Sequence, residues 1–274
     1  MGILMSILTP VILLLVIAAI CAIVLTVASI FFSVKEDETA VAIRDCLPGA
    51  NCGACGYSGC DGYAKALAEK TCSTTNLCVP GGDTTAKAVA TILGVEAEDV
   101  VEQVAYVACN GTCGVVDKKY NYQGELSCLT ANMAYQGDKA CDYACLGYGD
   151  CVKVCPQNAI SINNGVARVN PKKCIGCGIC TRVCPNEIIH LVRDTIRVTV
   201  ECSNKDKGAI TRKHCSNGCI GCMKCQKTCP HGAITVVDNL ATIDYSLCTG
   251  CGTCVEVCPV HCIHEGNFIC GAHF

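Results

Sequence analysis

The sequence predicts an α+β fold: a single N-terminal transmembrane helix, a small cysteine-rich domain and two tandem copies of one cysteine-rich module. Three observations support it. Residues 1–34 contain no charged side chain, 30 of the 274 residues are cysteine, and eight cysteines recur at a constant offset. We divide the chain into an anchor (1–34), a small domain (35–100), a cysteine-containing insert (101–140), module 1 (141–200) and module 2 (201–274).

The N-terminal segment Gly2–Val34 is the predicted membrane anchor. Its 33 uncharged residues exceed the roughly 20 that cross a bilayer core as a helix. A cleavable signal peptide has a basic start and a shorter apolar region of about 7 to 15 residues, and neither is present. Because Lys35 and Arg44 follow the helix and nothing basic precedes it, we expect a single-pass protein of the cytoplasmic membrane, with its later domains on the cytoplasmic side.

The constant offset is 74 residues, and it relates the cysteines of module 1 to those from Cys215 onward. A repeat at a fixed period predicts a duplicated structural unit. Each copy also contains two short alternating segments around a turn, at 159–169 and 233–243, which predict β-hairpins. The repeated cysteines are Cys141, Cys145, Cys151, Cys155, Cys174, Cys177, Cys180 and Cys184, matched by Cys215, Cys219, Cys225, Cys229, Cys248, Cys251, Cys254 and Cys258.

Three runs have the spacing C-x2-C-x2-C-x3-C-P, at Cys174–Pro185, Cys219–Pro230 and Cys248–Pro259. This spacing is typical of bacterial ferredoxins, in which three thiolates bind one 4Fe-4S cluster and the fourth binds the neighbouring cluster. We therefore expect ferredoxin-like modules with two clusters each. Three of the predicted ligand sets are Cys155, Cys174, Cys177 and Cys180; Cys219, Cys222, Cys225 and Cys258; and Cys229, Cys248, Cys251 and Cys254.

The fourth run departs from the pattern because Tyr148 stands where a cysteine is expected. We predict that Cys141, one helical turn upstream, completes a set with Cys145, Cys151 and Cys184. Module 2 has Cys222 at the position of Tyr148, which leaves Cys215 free.

The small domain carries a different motif, with Cys52, Cys55 and Cys60 among glycines and Cys78 further on. Glycines let the backbone approach a cluster closely, so these four cysteines are the predicted ligands of a further cluster. A helix is predicted between them, at 63–69.

A sixth cluster is predicted from Cys109, Cys113 and Cys128 of the insert. Its fourth ligand is Cys202, with Cys215 as the alternative. The remaining cysteines are predicted to be packing or surface thiols: Cys21, Cys46, Cys72, Cys262 and Cys270.

Disulfide scaffolds and zinc sites fit the cysteine pattern less well. Disulfide scaffolds are short secreted chains with dispersed cysteines, and zinc ribbons use paired C-x2-C units without a trailing Cys-Pro. The sequence contains no G-x-G-x-x-G or G-x4-G-K-[ST] loop and no Ser/His/Asp arrangement. We therefore expect electron transfer without substrate chemistry in this chain, and no bound NAD, flavin or nucleic acid.

Charge is unevenly distributed although the formal net charge is only -3. Residues 36–149 hold 7 basic and 15 acidic side chains, whereas residues 150–230 hold 13 basic and 5 acidic ones. A basic surface can steer an acidic protein partner. It can also simply offset the negative charge of thiolate-bound clusters.

The segments Leu47–Cys60 and Cys78–Gly82, between an apolar anchor and ferredoxin modules, resemble the B subunits of Rnf-type ion-translocating oxidoreductases. The stretches Cys109–Cys113, Tyr120–Cys128 and Cys202–Cys229 resemble the longer form of that family found in anaerobes. The resemblance implies a complex that couples electron transfer between ferredoxin and NAD to sodium or proton movement. This chain would relay electrons from soluble ferredoxin to other membrane subunits, which bind the flavin and NAD. The alternatives are a subunit of a membrane oxidoreductase without ion pumping, and a purely structural role for the metal.

Overall fold

The computed structural model describes residues 2–31 and 37–266. The ends of the predicted anchor (32–34) and of module 2 (267–274, with Cys270) lie outside the described residues. Helix α1 (Gly2–Phe31) follows from the uncharged N-terminal sequence. Within the described residues it is the one helix long and apolar enough, by length and composition, to cross a membrane, and none of its span Val11–Ala28 is buried. The predicted fold class is confirmed.

The small domain is a group of three helices around a compact core. The first begins at an N-cap, because the Asp37 carboxylate accepts a 2.9 Å hydrogen bond from the Thr39 amide. The helices are α2 (Glu38–Cys46), α3 (Cys60–Ala68) and α4 (Gly82–Leu93), with a 3-10 turn at Val79–Gly81. Their buried core comprises Ile43, Tyr63, Leu67, Val89 and the thiols of Cys60 and Cys78. The helix predicted at 63–69 is therefore confirmed, with an earlier start.

The insert contributes strand β1 (Gln103–Val107) and helix α5 (Cys128–Met133). Asp150 of module 1 holds the start of α5 in place. Its Oδ2 accepts hydrogen bonds from Ser127 Oγ at 2.8 Å and from the Leu129 amide at 3.1 Å. The insert is therefore fastened to module 1.

Both modules contain a helix, a hairpin, a second helix and a further strand in that order. Both predicted hairpins form, and positive φ angles at Asn164-Gly165 and at Asp238-Asn239 give the tight turns that suit twisted hairpins. Module 1 contains α6 (Asp150–Lys153), β2 (Ile160–Asn163), β3 (Val166–Val169), α7 (Ile179–Val183), β4 (Ile189–Arg193) and β5 (Val198–Val200). Module 2 contains α8 (Gly208–His214), α9 (Lys224–Thr228), β6 (Ile234–Val237), β7 (Leu240–Ile243), α10 (Thr253–Glu256) and β8 (Ile263–Glu265).

Each repeat also recruits a strand from ahead of its first repeated cysteine. Strand β1 pairs antiparallel with β4, and β5 pairs antiparallel with β8. The module starts expected at 141 and 201 therefore each leave out a strand. This difference matters because Cys109 and Cys202 follow these two strands at the same distance.

Polar contacts join module 1 and the insert to module 2. Arg168 forms a 3.0 Å ion pair with Glu201, and Asn110 lies 3.0 Å from Nε2 of His264. These contacts fix one repeat against the other.

Candidate metal centres

The cysteines of the described residues are free thiols, and none forms a disulfide there. Twenty-four of them assemble into six sets of four, which we number along the molecule. Site 1 is Cys52, Cys55, Cys60 and Cys78; site 2 is Cys155, Cys174, Cys177 and Cys180; site 3 is Cys128, Cys145, Cys151 and Cys184; site 4 is Cys109, Cys141, Cys202 and Cys215; site 5 is Cys219, Cys222, Cys225 and Cys258; site 6 is Cys229, Cys248, Cys251 and Cys254.

Sites 2 to 6 each line a cavity with their four thiols. The described residues include no group of three or more His, Cys, Asp or Glu that could hold a metal ion. Four thiols around a cavity, rather than around one point, fit a 4Fe-4S cluster because each thiolate then binds a different iron.

Site 1 lies in the small domain, where α3 begins at Cys60. The Asn51 side chain accepts a 2.8 Å hydrogen bond from the Cys60 amide and so fixes the start of that helix. Burial, together with the nearby thiols of Cys60, Cys55 and Cys52, raises the pKa of Cys78 to about 11. The structure thus brings the four predicted cysteines of this domain together.

Sites 2, 5 and 6 also bring together the sets expected from the ferredoxin spacing. In each set the fourth thiol comes from the neighbouring run, because the helix within one cysteine run packs beside the helix within the next. The helix pairs are α6 with α7 and α9 with α10.

Site 3 differs from the prediction. Cys128 of the insert, not Cys141, faces the cavity with Cys145, Cys151 and Cys184. Tyr148 cannot supply a thiol, and its ring instead packs on Tyr122 of the insert, with ring centroids 5.5 Å apart. The insert therefore fills the position that a cysteine occupies in module 2.

Site 4 also differs. Cys141 lies with Cys109, and both Cys202 and Cys215 join them, although the sequence offered those two only as alternatives. The Cys141 thiol accepts a 3.3 Å hydrogen bond from Asn204 Nδ2, which connects it to module 2. Half of this set comes from each repeat.

Cys113, predicted for the sixth cluster, belongs to none of the six sets. It is exposed, and its amide donates a 2.8 Å hydrogen bond to the Asn164 carbonyl on the β2–β3 turn. A Cβ on Gly165 would lie 2.8 Å from the Cys113 sulfur, so the turn and this thiol pack directly together. Cys113 is therefore a packing residue of the hairpin.

In site 4, Cys109 and Cys202 accept equivalent hydrogen bonds, one set from each repeat. Cys109 and Cys202 each accept a hydrogen bond from the amide two residues later, at 3.4 Å from Gly111 and 3.5 Å from Asn204. Each also accepts one from the first cysteine of a repeat run, at 3.3 Å from the Cys145 amide and 3.2 Å from the Cys219 amide. Site 4 consequently joins site 3 on one side to site 5 on the other.

Further contacts extend this series of neighbouring sites to site 1 in one direction and to site 6 in the other. The Arg182 guanidinium of module 1 donates to the Cys52 carbonyl, next to site 2. Burial raises the pKa of Cys177, and the Cys52 thiolate raises it further, so sites 1 and 2 are neighbours. Sites 2 and 3 share the helix pair α6 and α7, and sites 5 and 6 share α9 and α10. The six sets thus form an unbroken series from site 1 to site 6.

Burial dominates the acidity of most of these thiols. It raises the pKa of Cys141, Cys151 and Cys202 to about 12. Burial also raises the pKa of Cys145 to about 11, against the opposing effect of the Lys139 ammonium. Iron binding therefore has to displace protons from these sites at neutral pH.

The surface differs between equivalent sites 3 and 5. Cys222 of site 5 is exposed, as is Met223 at 46% of its surface, and Lys224 and Lys227 follow. Across residues 37–266 no ion pair neutralises the exposed basic side chains of this region, which are Lys205, Lys207, Arg212, Lys213, Lys224 and Lys227. Site 5 thus has an exposed ligand with two exposed lysines on the adjoining helix α9, and we name the six residues together the basic face.

Family profiles match most of the part of the chain that holds the six sites. Residues 47–80 match a family described as a putative Fe-S cluster. Two families of 4Fe-4S dicluster domains match residues 141–188 and 218–262, and residues 173–234. These matches support several 4Fe-4S clusters in this chain.

The chain is also similar to curated proteins along most of its length. It is 44% identical to the B subunit of the Na(+)-translocating ferredoxin:NAD(+) oxidoreductase complex of Acetobacterium woodii, over 94% of this chain and 78% of that protein. It is 42% identical to the B subunit of the proton-translocating ferredoxin:NAD(+) oxidoreductase complex of Clostridium ljungdahlii, over 90% and 88%. It is 37% identical to the B subunit of an ion-translocating oxidoreductase complex of Methanosarcina acetivorans, over 86% and 90%.

Proposed function

Because this chain belongs to the family of B subunits of ion-translocating oxidoreductase complexes, we propose that it relays electrons from soluble ferredoxin to the membrane subunits of an Rnf-type complex. That complex would couple ferredoxin:NAD oxidoreduction to Na+ or H+ translocation. The observation that carries the proposal is the unbroken series of six four-thiol sites between the basic face and the small domain that follows the anchor.

The residues of sites 1 to 6 would hold six 4Fe-4S clusters. Bound clusters of this type supply one-electron carriers whose potentials depend on hydrogen bonds to sulfur and on exposure. The chain's own contribution is to fix the order of the sites. The amides of Cys145 and Cys219 link site 4 to its two neighbours. Arg182, next to site 2, donates a hydrogen bond to the Cys52 carbonyl of site 1.

The electron-accepting end is site 5, beside the basic face. Ferredoxins are acidic partners in this proposal, so unpaired lysines around an exposed ligand would both attract and orient them. Cys222 is exposed there, whereas its module 1 counterpart is covered by the insert. Site 6, with Cys251 also exposed, lies beside it and extends the same end.

The electron-donating end is site 1. Cys52 follows the last residue of α1 by 21 positions, so this site is the one closest in sequence to the predicted anchor. With the domains on the cytoplasmic side, electrons would leave site 1 for other membrane subunits. Flavin and NAD chemistry would belong to those subunits, since this chain carries no nucleotide loop.

The variant Cys55→Ala tests the direction of the relay in the assembled complex. We expect reduction of the membrane subunits to stop, while sites 2 to 6 still accept electrons from reduced ferredoxin. Cys46→Ala is the matched control, because Cys46 lies in the same domain but outside site 1. Equal loss of electron uptake at all sites in Cys55→Ala would contradict the proposed order.

A further inference from the structure

Site 5 contains a fifth thiol that is not one of its four ligands. Cys262 is 1% exposed and lines the cavity of site 5. Its sulfur lies 3.6 Å from the Cys258 sulfur, and its amide donates a 3.4 Å hydrogen bond to the same sulfur. The Cys262 side chain therefore packs directly against a ligand of this site.

Module 1 provides a natural comparison. The residue at the position of Cys262 is Ile188, which is equally buried at 1% exposure and lines the cavity of site 3. The Ile188 amide also hydrogen-bonds the ligand beside it, Cys184. The backbone arrangement is therefore the same in both repeats, and the side chain is what differs. Site 5 has an S–H group where site 3 has only hydrocarbon.

A neighbouring thiol can act on a ligand only as a hydrogen-bond donor or as a competing ligand. The ferredoxin spacing already gives site 5 four ligands, and Cys258 occupies the same position as Cys184 in site 3. At 3.6 Å from the Cys258 sulfur, the buried Cys262 thiol is placed as a donor that stabilises negative charge on that sulfur.

We propose that Cys262 is a positioning residue of site 5 that donates its S–H to the ligand sulfur of Cys258 and thereby raises the reduction potential of that site. The inference rests on the proposed function, in which site 5 holds a 4Fe-4S cluster. Reduction adds one electron and increases the negative charge on the ligand sulfurs, so a donated hydrogen bond favours the reduced form. Site 3 lacks this contribution. Site 5, beside the basic face, consequently accepts an electron more readily than it would with an apolar residue at 262.

The test is an EPR-monitored redox titration of the full-length chain, purified without oxygen. Cys262→Ala removes the donor without adding volume, and we expect one component to move to a more negative midpoint potential while the others stay in place. Cys262→Ser retains a donor and should restore the wild-type midpoint or exceed it. Ile188→Cys places a thiol in the equivalent position of site 3, and we expect a different component to move to a more positive potential.

Iron content separates the ways in which the inference can fail. If Cys262→Ala retains its iron and no component moves, or if Cys262→Ser moves it as far as Cys262→Ala does, the hydrogen-bond role is wrong. Loss of about four iron atoms in both Cys262 variants would instead make Cys262 a ligand and overturn the inference. A wild-type chain without iron would overturn the proposed function and this inference together.

Discussion

At one position of the repeat, module 1 has Asp150 and module 2 has Lys224. Asp150 holds the insert through Ser127 and the Leu129 amide, and the insert brings Cys128 into site 3. Lys224 lies exposed beside Cys222 on the basic face. The two copies of the module therefore differ in exposure. In module 1 the insert covers site 3, whereas in module 2 site 5 remains exposed.

The segment around site 5 is also more basic than the equivalent segment around site 3. Residues 128–157 contain two basic and three acidic side chains, whereas residues 202–231 contain six basic and one acidic. Lys139 shows the contrast at a single pair of positions. It is buried and donates to the Gly111 and Gly165 carbonyls at 2.9 and 2.8 Å, whereas its counterpart Lys213 is exposed.

The largest expected effect tests the origin of site 3. Cys128→Ala removes the ligand that the insert provides, so we expect about four fewer iron atoms per chain, together with loss of one redox component. Iron and acid-labile sulfide analysis measures the change. Cys113→Ala is the matched control in the same insert, and it should retain all iron because Cys113 belongs to no site. Retained iron in Cys128→Ala would mean that site 3 does not depend on the insert.

The second prediction concerns the rate of electron uptake at site 5, beside the basic face. The double charge reversal Lys224→Glu with Lys227→Glu should slow electron uptake from reduced ferredoxin by about tenfold or more at low ionic strength, because it removes electrostatic attraction. Stopped-flow kinetics over a range of salt concentrations measures this rate, and the difference should shrink at high salt.

Lys153→Glu is the control for this prediction, since Lys153 occupies the position of Lys227 in module 1. It is also exposed, but it lies by the insert rather than on the basic face. If both reversals slow ferredoxin equally, the basic face has no special part in docking.

A smaller effect is expected on stability. Lys139→Met leaves the buried Gly111 carbonyl and the half-buried Gly165 carbonyl without their donor, and this should destabilise the folded chain by about 1–3 kcal/mol. Lys213→Met changes an exposed side chain and should alter stability by no more than about 0.5 kcal/mol. Thermal loss of visible absorbance compares the two variants. Equal melting of both would show that the Lys139 contacts contribute nothing specific.

Much of this structure could be predicted from local spacing. The hairpins were predicted correctly because Asn164-Gly165 and Asp238-Asn239 are turn pairs between alternating segments. The cysteine sets of sites 2, 5 and 6 follow from runs whose spacing is complete. The family resemblance is confirmed by relatives that cover most of the chain.

The complete ligand sets of sites 3 and 4 were not predicted correctly, because their ligands come from segments that differ in length between the two repeats. Cys109 and Cys141 are 32 residues apart, but Cys202 and Cys215 are only 13 apart, so module 1 has 19 additional residues there. This insertion hides the equivalence of Cys109 and Cys202 from a fixed-offset search. A usable signal was present nonetheless, since the copy that lacks a cysteine at Tyr148 is also the copy whose insertion contains Cys128.

The strands β1 and β5 were missed for a related reason. Each pairs with a strand about 60 or more residues later, and a short apolar segment does not reveal a distant partner. Strand pairing of this kind depends on tertiary packing, which places both strands beside the cysteine sites.

The most direct test of the six-site series is iron and acid-labile sulfide quantification on wild-type chain purified without oxygen. Six four-thiol sites predict about 24 iron and about 24 sulfide per chain. A colourless chain with zinc in these sites, or an iron content that accounts for far fewer than six clusters, would contradict it.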